Sequence, residues 1–495
     1  MLRLLLFSLI FLHTVVLHAV PPTLQQQVLT HYSKPADSLK RKAASFLLAN
    51  IQIHASQTYY WATQAGKRLF WDELTYPDFA SGIAGFDSLR AKNGVLHPVP
   101  TTYKDVDTIS PAYLIENIDL AFEVWPKPWN KNVSFDDFCE YILPYRASVE
   151  PLQNWRNVYY NRYKWVQDSL ENHTIEQVLQ LIATETKNWF INTWDLEKRK
   201  EPIPRLGALH LLQRKKGPCE DVADLMVFIL RSQGLVVSNE MVTWWATSTG
   251  RHFCNNVLGD SGIRNRFDVS TGQPRFKTFE REPAKVIRTT YSNNVQTIGA
   301  TEAMEHIPPG FMQFTNFKDV TAEYWQVSDL IVSLFSPQRD NSPIFACVFN
   351  GLTWQPTWWS SKRNGILQFT DMASGAVYLP AFFMNGKLIP AGLPLVNGYD
   401  SVYTLRPDTL HLQNLVVDQQ DKYLIFRETK KYKLFWWNKY NWQLGGEQLY
   451  EGNKNKQQLI FKKIPSNTLY LLIPEYSQGK ERPFTINSAG KRQWW

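Results

Sequence analysis

The chain has 495 residues, which is too many for one hydrophobic core, so several domains are expected. Hydrophobic residues make up 44% and charged residues 20%, a composition that excludes an intrinsically disordered chain. The net charge of +8 at pH 7 is explained either by a solubilising excess of Lys and Arg or by partners that carry acidic groups.

The N-terminus has the three parts of a secretory signal peptide. Arg3 supplies the positive charge, residues 4–17 are mainly apolar, and Ala19 marks a cleavage site. The apolar run is too short to span a membrane, and no later run approaches that length, so no transmembrane segment is expected. We expect residues 1–19 to be removed and the mature protein to be periplasmic or extracellular. In an exported protein the positive charge favours acidic glycans, cell-wall polymers or membrane surfaces over nucleic acid.

The first half of the chain, from about residue 23 to 210, has mostly helical periodicity. Thr174 and Gln177 form a capping box ahead of a stripe of apolar residues at helical spacing. A Pro-rich joint at residues 201–204 interrupts this half of the chain. The pattern predicts a helical N-terminal region over residues 20–150.

The clearest predicted element is a helix that begins after Pro218. It carries one apolar stripe, and Gly234 stands where a helix C-cap belongs. Short runs with β-like composition follow the helix, and a Gly-rich turn at residues 259–262 separates the last two of them. The predicted strands are residues 235–237, 241–245, 252–258 and 263–269. A helix followed by an antiparallel meander is therefore expected within a domain spanning residues 151–320.

After about residue 320 the sequence is typical of β-sandwich domains. Short alternating or aromatic runs recur between Asn-Gly pairs, the strongest short-range signal for a β-hairpin. These pairs are at residues 350–351, 364–365, 385–386 and 397–398. We expect one β-sandwich over residues 321–412 and a second over residues 413–495. The fold class predicted for the whole chain is thus multidomain α+β.

Three residues of the helix and meander suit nucleophilic catalysis. Cys219 falls in the first turn of the helix, where unpaired N–H groups and the helix dipole favour a thiolate anion. His252 begins one predicted strand and Asp268 ends the next. A thiolate, an imidazole and a carboxylate in this order form an acyl-transfer site, with Cys219 as nucleophile, His252 as base and Asp268 as the group that orients it.

Residues 217–268 resemble the transglutaminase-like superfamily at these same positions. The segment from Cys219 to Asp221 and residues 230–235 are similar to that family's cysteine helix and its exit into the next strand. Residues 114–118, 138–146 and 155–156 resemble a helical region found ahead of the core in exported bacterial members, and residues 482–485 with the final Trp pair resemble their β-rich tails. The resemblance implies a papain-type α+β core with a Cys-His-Asp triad.

The implied activity is that of a cysteine protease, amidase or acyltransferase. Cys219 would attack an amide or peptide carbonyl and form a thioester, which water or an amine resolves. Hydrolysis is favoured because water needs no second substrate site. The expected partner is a peptide, protein or glycopeptide, with carbohydrate as a further option. The alternative is a catalytically degenerate protein that binds a glycan or peptide on the same fold.

Cys254 departs from the family pattern, because an aromatic residue often stands two positions after the histidine. Residues i and i+2 of a strand share a face, so Cys254 is expected beside His252. Three interpretations are open: a buried inert thiol, a disulfide with Cys219 that silences the site, or a modified pocket. Four cysteines in a chain of this length do not make a disulfide scaffold, although export permits a bond.

Other polar and aromatic clusters have simpler interpretations. Asp221 and Asp224 suit a metal, but acids near the start of a helix are better explained by its dipole. The sequence has no His-Glu-x-x-His or Cys-x-x-Cys pattern, so neither a metal nor a cofactor is expected. The Trp-rich segments at residues 354–359 and 435–442 suit carbohydrate binding, but core packing explains them as well.

Overall fold

The computed structural model describes residues 22–193, 205–270, 279–336, 342–363, 366–420, 424–452, 457–487 and 490–495, which combine helices and several sheets in an α+β arrangement. The predicted signal peptide, residues 1–19, and the Pro-rich joint at 201–204 lie outside these ranges. No helix within them has both the length and the apolar character needed to cross a bilayer.

The N-terminal region contains helices and a three-stranded antiparallel sheet. The helices are α1 (Pro22–His31), α2 (Ser38–Asn50), α3 (Phe79–Asn93), α4 (Asp105–Thr108), α5 (Pro111–Val124) and α6 (Phe135–Tyr141). The sheet has the order β2-β1-β3 and consists of β1 (Ala55–Thr63), β2 (Arg68–Leu69) and β3 (Leu96–Lys104). The expectation of a helical region over residues 20–150 was therefore wrong for the three strands, although α3 lies between β2 and β3. The aromatic and Thr-rich β1 favours a strand, and two prolines in β3 disfavour a helix.

The central part of the chain carries the predicted cysteine helix and meander. Its helices are α7 (Arg156–Arg162), α8 (Trp165–Leu170), α9 (Ile175–Trp189), α10 (Ala208–Arg214), α11 (Cys219–Ser232), α12 (Ile298–Thr301) and α13 (Thr321–Tyr324). Its strands are β4 (Ile191–Asn192), β5 (Lys216–Gly217), β6 (Val237–Val242), β7 (His252–Leu258), β8 (Arg264–Phe267), β9 (Val286–Thr289) and β10 (Phe317–Asp319).

The five longer strands of this part form one antiparallel sheet with the order β10-β9-β6-β7-β8. Apolar residues of α11 share a buried cluster with Val237, Val257 and Phe267, so the helix packs on one face of this sheet. The predicted runs at 235–237 and 241–245 prove to be one strand, β6. The capping box of Thr174 and Gln177 is present at the start of α9.

From β11 onward the described residues are strands and connecting loops. The strands are β11 (Val327–Ile331), β12 (Ile344–Asn350), β13 (Thr353–Trp359), β14 (Ser361–Arg363), β15 (Ile366–Ala373), β16 (Ala376–Met384), β17 (Lys387–Pro390), β18 (Leu395–Asn397), β19 (Val402–Thr404), β20 (Asp408–Asp418), β21 (Lys430–Trp437), β22 (Trp442–Tyr450), β23 (Gln458–Ser466), β24 (Tyr470–Pro474), β25 (Phe484–Ile486) and β26 (Arg492–Trp494).

Asn-Gly pairs lie at three of the predicted turns. Residues 350–351 join β12 to β13, residues 385–386 join β16 to β17, and residues 397–398 end β18. The pair at 364–365 lies outside the described residues. The boundary predicted at residue 412 falls inside β20, which pairs with β23.

The Trp-rich segments of β13 and of β21–β22 pack on each other. The Trp354 and Trp437 rings are 5.4 Å apart between centroids, and Trp437 lies 5.2 Å from Trp442. Trp437 is buried in a core cluster shared by strands on both sides of the contact. Core packing therefore accounts for these aromatic residues.

Candidate active site

Helix α11 begins at Cys219, directly after the short strand β5. The backbone of Gly217 approaches the helix so closely that a Cβ atom on this residue would lie 2.6 Å from the Cβ of Asp221. Only glycine fits there without displacing the first turn. At the other end, Gly234 has a φ of +82° and follows the last helical turn, as expected for a helix C-cap.

A Gly217→Ala substitution should destabilise the protein by ~1–3 kcal/mol, because the added methyl group overlaps the first turn of α11. Urea unfolding measures this loss. Gly82→Ala, in α3, is the matched control, since its Cβ would make an ordinary 3.4 Å contact with the Cβ of Glu73, and alanine is the better helix former by about 1 kcal/mol. Equal stability of Gly217→Ala and the native protein would contradict this account of the helix start.

Cys219 lies at the N-terminus of α11, as the sequence predicts. The first backbone N–H groups of a helix lack partners within the helix and carry its positive dipole end. The side chain is buried, with 3% of the residue exposed. A thiolate here would be held in an enclosed site at the positive end of a 14-residue helix.

His252 and Asp268 lie together beside this cysteine. His252 is the first residue of β7, and its Nε2 atom is 2.7 Å from Oδ2 of Asp268. The Cys219 side chain also lies near enough to the His252 ring to raise the pKa of the imidazole. Since Asp268 occupies Nε2, Nδ1 is the nitrogen left for the sulfur. The three side chains are thus neighbours in the order carboxylate, imidazole and thiol, with a hydrogen bond joining the first two.

The Asp268 carboxylate is held by two further residues that the sequence reasoning missed. Arg266 Nη2 lies 2.5 Å from Oδ2, while the backbone N–H and the hydroxyl of Ser270 donate to Oδ1 at 3.0 and 2.7 Å. The Arg266 guanidinium stacks over the Phe279 ring. Arg266 precedes Asp268 by two residues, a spacing that places two side chains on the same face of an extended segment. This spacing is the feature of the sequence that could have identified Arg266.

These contacts change the charge states of the pair. Burial disfavours a charged His252, but hydrogen bonds with Asp268 and Cys219 outweigh it and raise the pKa of His252 to about 9. Burial likewise disfavours a charged Asp268, yet the hydrogen bond with His252 and the charge of Arg266 keep the pKa of this carboxyl below its ordinary value. At neutral pH the ring is therefore an imidazolium beside a carboxylate.

The Trp245 ring covers the imidazole. It is nearly parallel to the His252 ring, at 25°, with centroids 5.8 Å apart. An aromatic face favours a neighbouring cation such as the imidazolium. Trp245 was not among the residues predicted for the site.

Cys254 is a buried free thiol, as are Cys139 and Cys347. Cys254 pairs with Glu240 on β6 and is hydrogen bonded to Arg266. Burial raises the pKa values of all three of these thiols above the ordinary range. The structure agrees with the first of the three interpretations, a buried inert thiol, and contains no disulfide between Cys254 and Cys219.

Asp224 belongs to a buried polar network and is not placed as a metal ligand. It accepts hydrogen bonds from Ser148, Arg205 and Asn239 at 2.7, 2.8 and 2.6 Å. Burial raises the pKa of this carboxyl despite the Arg205 charge. No group of His, Cys, Asp or Glu side chains in the described ranges has the arrangement needed to hold a metal ion. The network joins α11 to the N-terminal region.

The geometry can support acyl transfer through a thioester, with the nucleophile at a helix terminus and the base held from behind by a buried carboxylate. Comparisons with known proteins add nothing to this description: no protein-family model, curated protein or solved structure matches the chain significantly.

Proposed function

We propose that the protein is a cysteine hydrolase or acyltransferase of the transglutaminase-like type, acting on an amide or peptide bond. The observation that carries this proposal is the hydrogen-bonded pair of Asp268 and His252 beside Cys219, with the sulfur at the N-terminus of α11. Each part has a physical reason to be there. The helix terminus favours the thiolate, and the buried carboxylate fixes the tautomer and orientation of the imidazole.

In the first half-reaction the Cys219 sulfur attacks the carbonyl carbon of the amide. The backbone N–H of Cys219, in the first turn of α11, is suited to stabilise the negative oxygen of the tetrahedral intermediate. His252 gives its proton to the leaving nitrogen as the C–N bond breaks. The products are a free amine and a thioester on Cys219, and His252 is left neutral.

In the second half-reaction neutral His252 takes a proton from a water molecule. The resulting oxygen nucleophile attacks the thioester carbon, and the C–S bond breaks to release a carboxylic acid and the Cys219 thiolate. An amine in place of water would give transamidation by the same steps. We favour hydrolysis, because water requires no second binding site.

The proposal extends to the domain arrangement and to export. A papain-type core is supported by α11 packed on the antiparallel sheet that carries His252. Two β-sandwich domains are supported by two later clusters in which strands of separate sheets share one core. Export is supported by the sequence pattern of residues 1–19. N-terminal sequencing of the protein recovered from the periplasm or medium tests this last point.

A thiol-reactive probe tests the catalytic proposal without knowledge of the substrate. Iodoacetamide should label Cys219 stoichiometrically, as located by peptide mass spectrometry, and His252→Ala should abolish most of the labelling. Cys139, Cys254 and Cys347 are internal controls, because burial raises the pKa of each and keeps it protonated. Labelling at Cys219 that is indifferent to His252 would favour a degenerate binding protein on the same fold.

The ionisation of His252 should be visible by NMR of protein labelled with ¹⁵N in its histidines. We expect the His252 ring to lose its proton with a midpoint near pH 9, because its hydrogen bonds with Asp268 and Cys219 raise the pKa. The imidazolium therefore persists through neutral pH and is lost as the pH rises through 9. In Asp268→Asn the midpoint should move downward. A native midpoint at or below 6.5, the ordinary value, would exclude the ion pair.

A further inference from the structure

A large cleft lies in the N-terminal region, on the sheet that the sequence did not predict. It has a volume of about 560 Å³ and is lined by residues of all three strands and of the loop after β2. The aromatic residues of the lining come from β1, β3 and that loop, with Tyr60 on the opposite face of β1 from its two neighbours. They are Tyr59, Tyr60, Trp61, Phe70, Trp71 and Tyr103. Phe70 is 82% exposed, which is unusual for a phenylalanine that has no function at the surface.

The aromatic wall is rigid. Trp61 and Trp71 both pack against Phe86 of α3, with ring centroids 4.7 and 5.1 Å apart. The Trp71 indole N–H also donates to the backbone oxygen of Gly82 at 3.1 Å. The Arg68 guanidinium stacks on Tyr60 at 4.5 Å. These contacts hold several rings in place, as expected of a preformed ligand site.

Most charged groups of the cleft are paired within the protein, and Arg68, which has no carboxylate partner among the described residues, donates to the Tyr103 hydroxyl at 3.2 Å. His210 Nε2 lies 3.4 Å from Oδ1 of Asp72, and Arg205 Nη1 lies 2.7 Å from Oε1 of Glu220. Glu73 forms an ion pair with the buried Arg214. The cleft therefore has polar groups that can form hydrogen bonds but little unpaired charge, which favours an uncharged ligand over an acidic or basic one.

Backbone pairing with an extended peptide is disfavoured at this sheet. The strand order β2-β1-β3 makes β3 an edge strand, and its residues Pro98 and Pro100 have no N–H to donate. The opposite edge, β2, is only two residues long. Recognition must therefore use ring faces and side-chain hydrogen bonds.

We propose that this cleft binds a neutral glycan chain. The C–H face of a pyranose ring is apolar and packs against an aromatic face, while its hydroxyl groups lie at the rim and need hydrogen-bond partners. The cleft offers both features, with rings on the wall and Arg68, Asp72 and His210 among them.

The cleft lies next to the start of the catalytic helix. Arg205 lines the cleft and binds Glu220, the residue after Cys219. His210 is on α10, which leads through β5 directly to Cys219. Resting on the proposed function, we infer that the substrate is an amide attached to a glycan, with the sugar chain in the cleft and the amide at Cys219. Such remote binding positions the reacting bond.

Isothermal titration calorimetry with the full-length Cys219→Ala protein tests binding separately from chemistry. Chitohexaose and cellohexaose are the probes, because they distinguish acetamido-bearing from plain neutral chains. We expect at least one of them to bind, and Phe70→Ala to weaken its binding about tenfold or more, the loss of one well-packed aromatic contact. Tyr440→Ala, an exposed aromatic residue of the C-terminal region, should leave the affinity unchanged.

Three outcomes would overturn the glycan site: no binding of either oligosaccharide, binding that Phe70→Ala leaves intact, or preferential binding of an unmodified peptide such as hexaalanine. The proposed enzyme function fails by a different result, iodoacetamide labelling of Cys219 that does not require His252. Because the calorimetry uses a protein without the nucleophile, glycan binding is measured whether or not the protein is an enzyme.

Discussion

Cys219→Ala should abolish turnover of an amide substrate. Among the described residues, no hydroxyl or second thiol is hydrogen bonded to His252, whose ring lies beside Asp268 and Cys219. None of these residues is therefore placed to replace the nucleophile at the helix terminus. The expected loss in kcat is ~10⁴-fold or more, by analogy with triads in which the nucleophile has been removed. KM should change little, because Cys219 does not hold the remote parts of the substrate.

Cys254→Ser is the matched control for this variant. Cys254 lies on β7, the strand that also carries His252, where it is buried and hydrogen bonded to Arg266. The Cys254→Ser variant should remain active, since burial raises the pKa of this thiol and keeps it protonated. If Cys254→Ser is inactive while Cys219→Ala retains turnover, the assignment of the nucleophile is wrong.

Asp268→Asn should lower kcat/KM by roughly 10²- to 10⁴-fold, as in other triads whose carboxylate becomes an amide. The amide keeps the shape of the side chain, but it removes the charge that stabilises the His252 imidazolium and can orient the wrong ring tautomer. Most of the effect should fall on kcat. Steady-state kinetics measures it, with thermal unfolding to establish that the variant is folded.

Asp87→Asn, at an exposed position on α3, is the control for the charge change and should retain activity. A change of pH should not restore the activity of the Asp268→Asn variant, because titration cannot supply the missing carboxylate. Native kcat/KM in a folded Asp268→Asn protein would show that His252 acts without this carboxylate, and the triad would then reduce to a Cys-His pair.

Much of the core was predictable because local signals agreed with the final fold. Pro218 and Gly234 bound α11 in the sequence and in the structure. The β7 strand has the predicted limits, His252–Leu258, since a Gly-rich turn follows it directly. The Asn-Gly pairs predicted hairpins because these residues adopt tight turns at low cost. Such signals depend only on residues that are neighbours in the chain, so they can be recognised without knowledge of the tertiary packing.

The N-terminal sheet was missed because its pairing is long-range. Strand β1 pairs with β3, and α3 lies between them in the chain. Because the sequence on both sides of these strands has a helical pattern, the strands were not predicted. The aromatic cleft exists only once these strands, α10 and the loop after β2 are brought together. No local periodicity in the sequence indicates that these segments come together.

The order Cys219, His252 and Asp268 selected the site from the sequence, but only the tertiary structure decided what surrounds it. Arg266 and Ser270 hold the carboxylate, and Trp245 covers the imidazole. Strand register determines which of these side chains share a face, and folding determines which of them lose water. Strand register and burial together set the pKa values of the ionisable side chains in the site. Both depend on contacts between residues far apart in the chain.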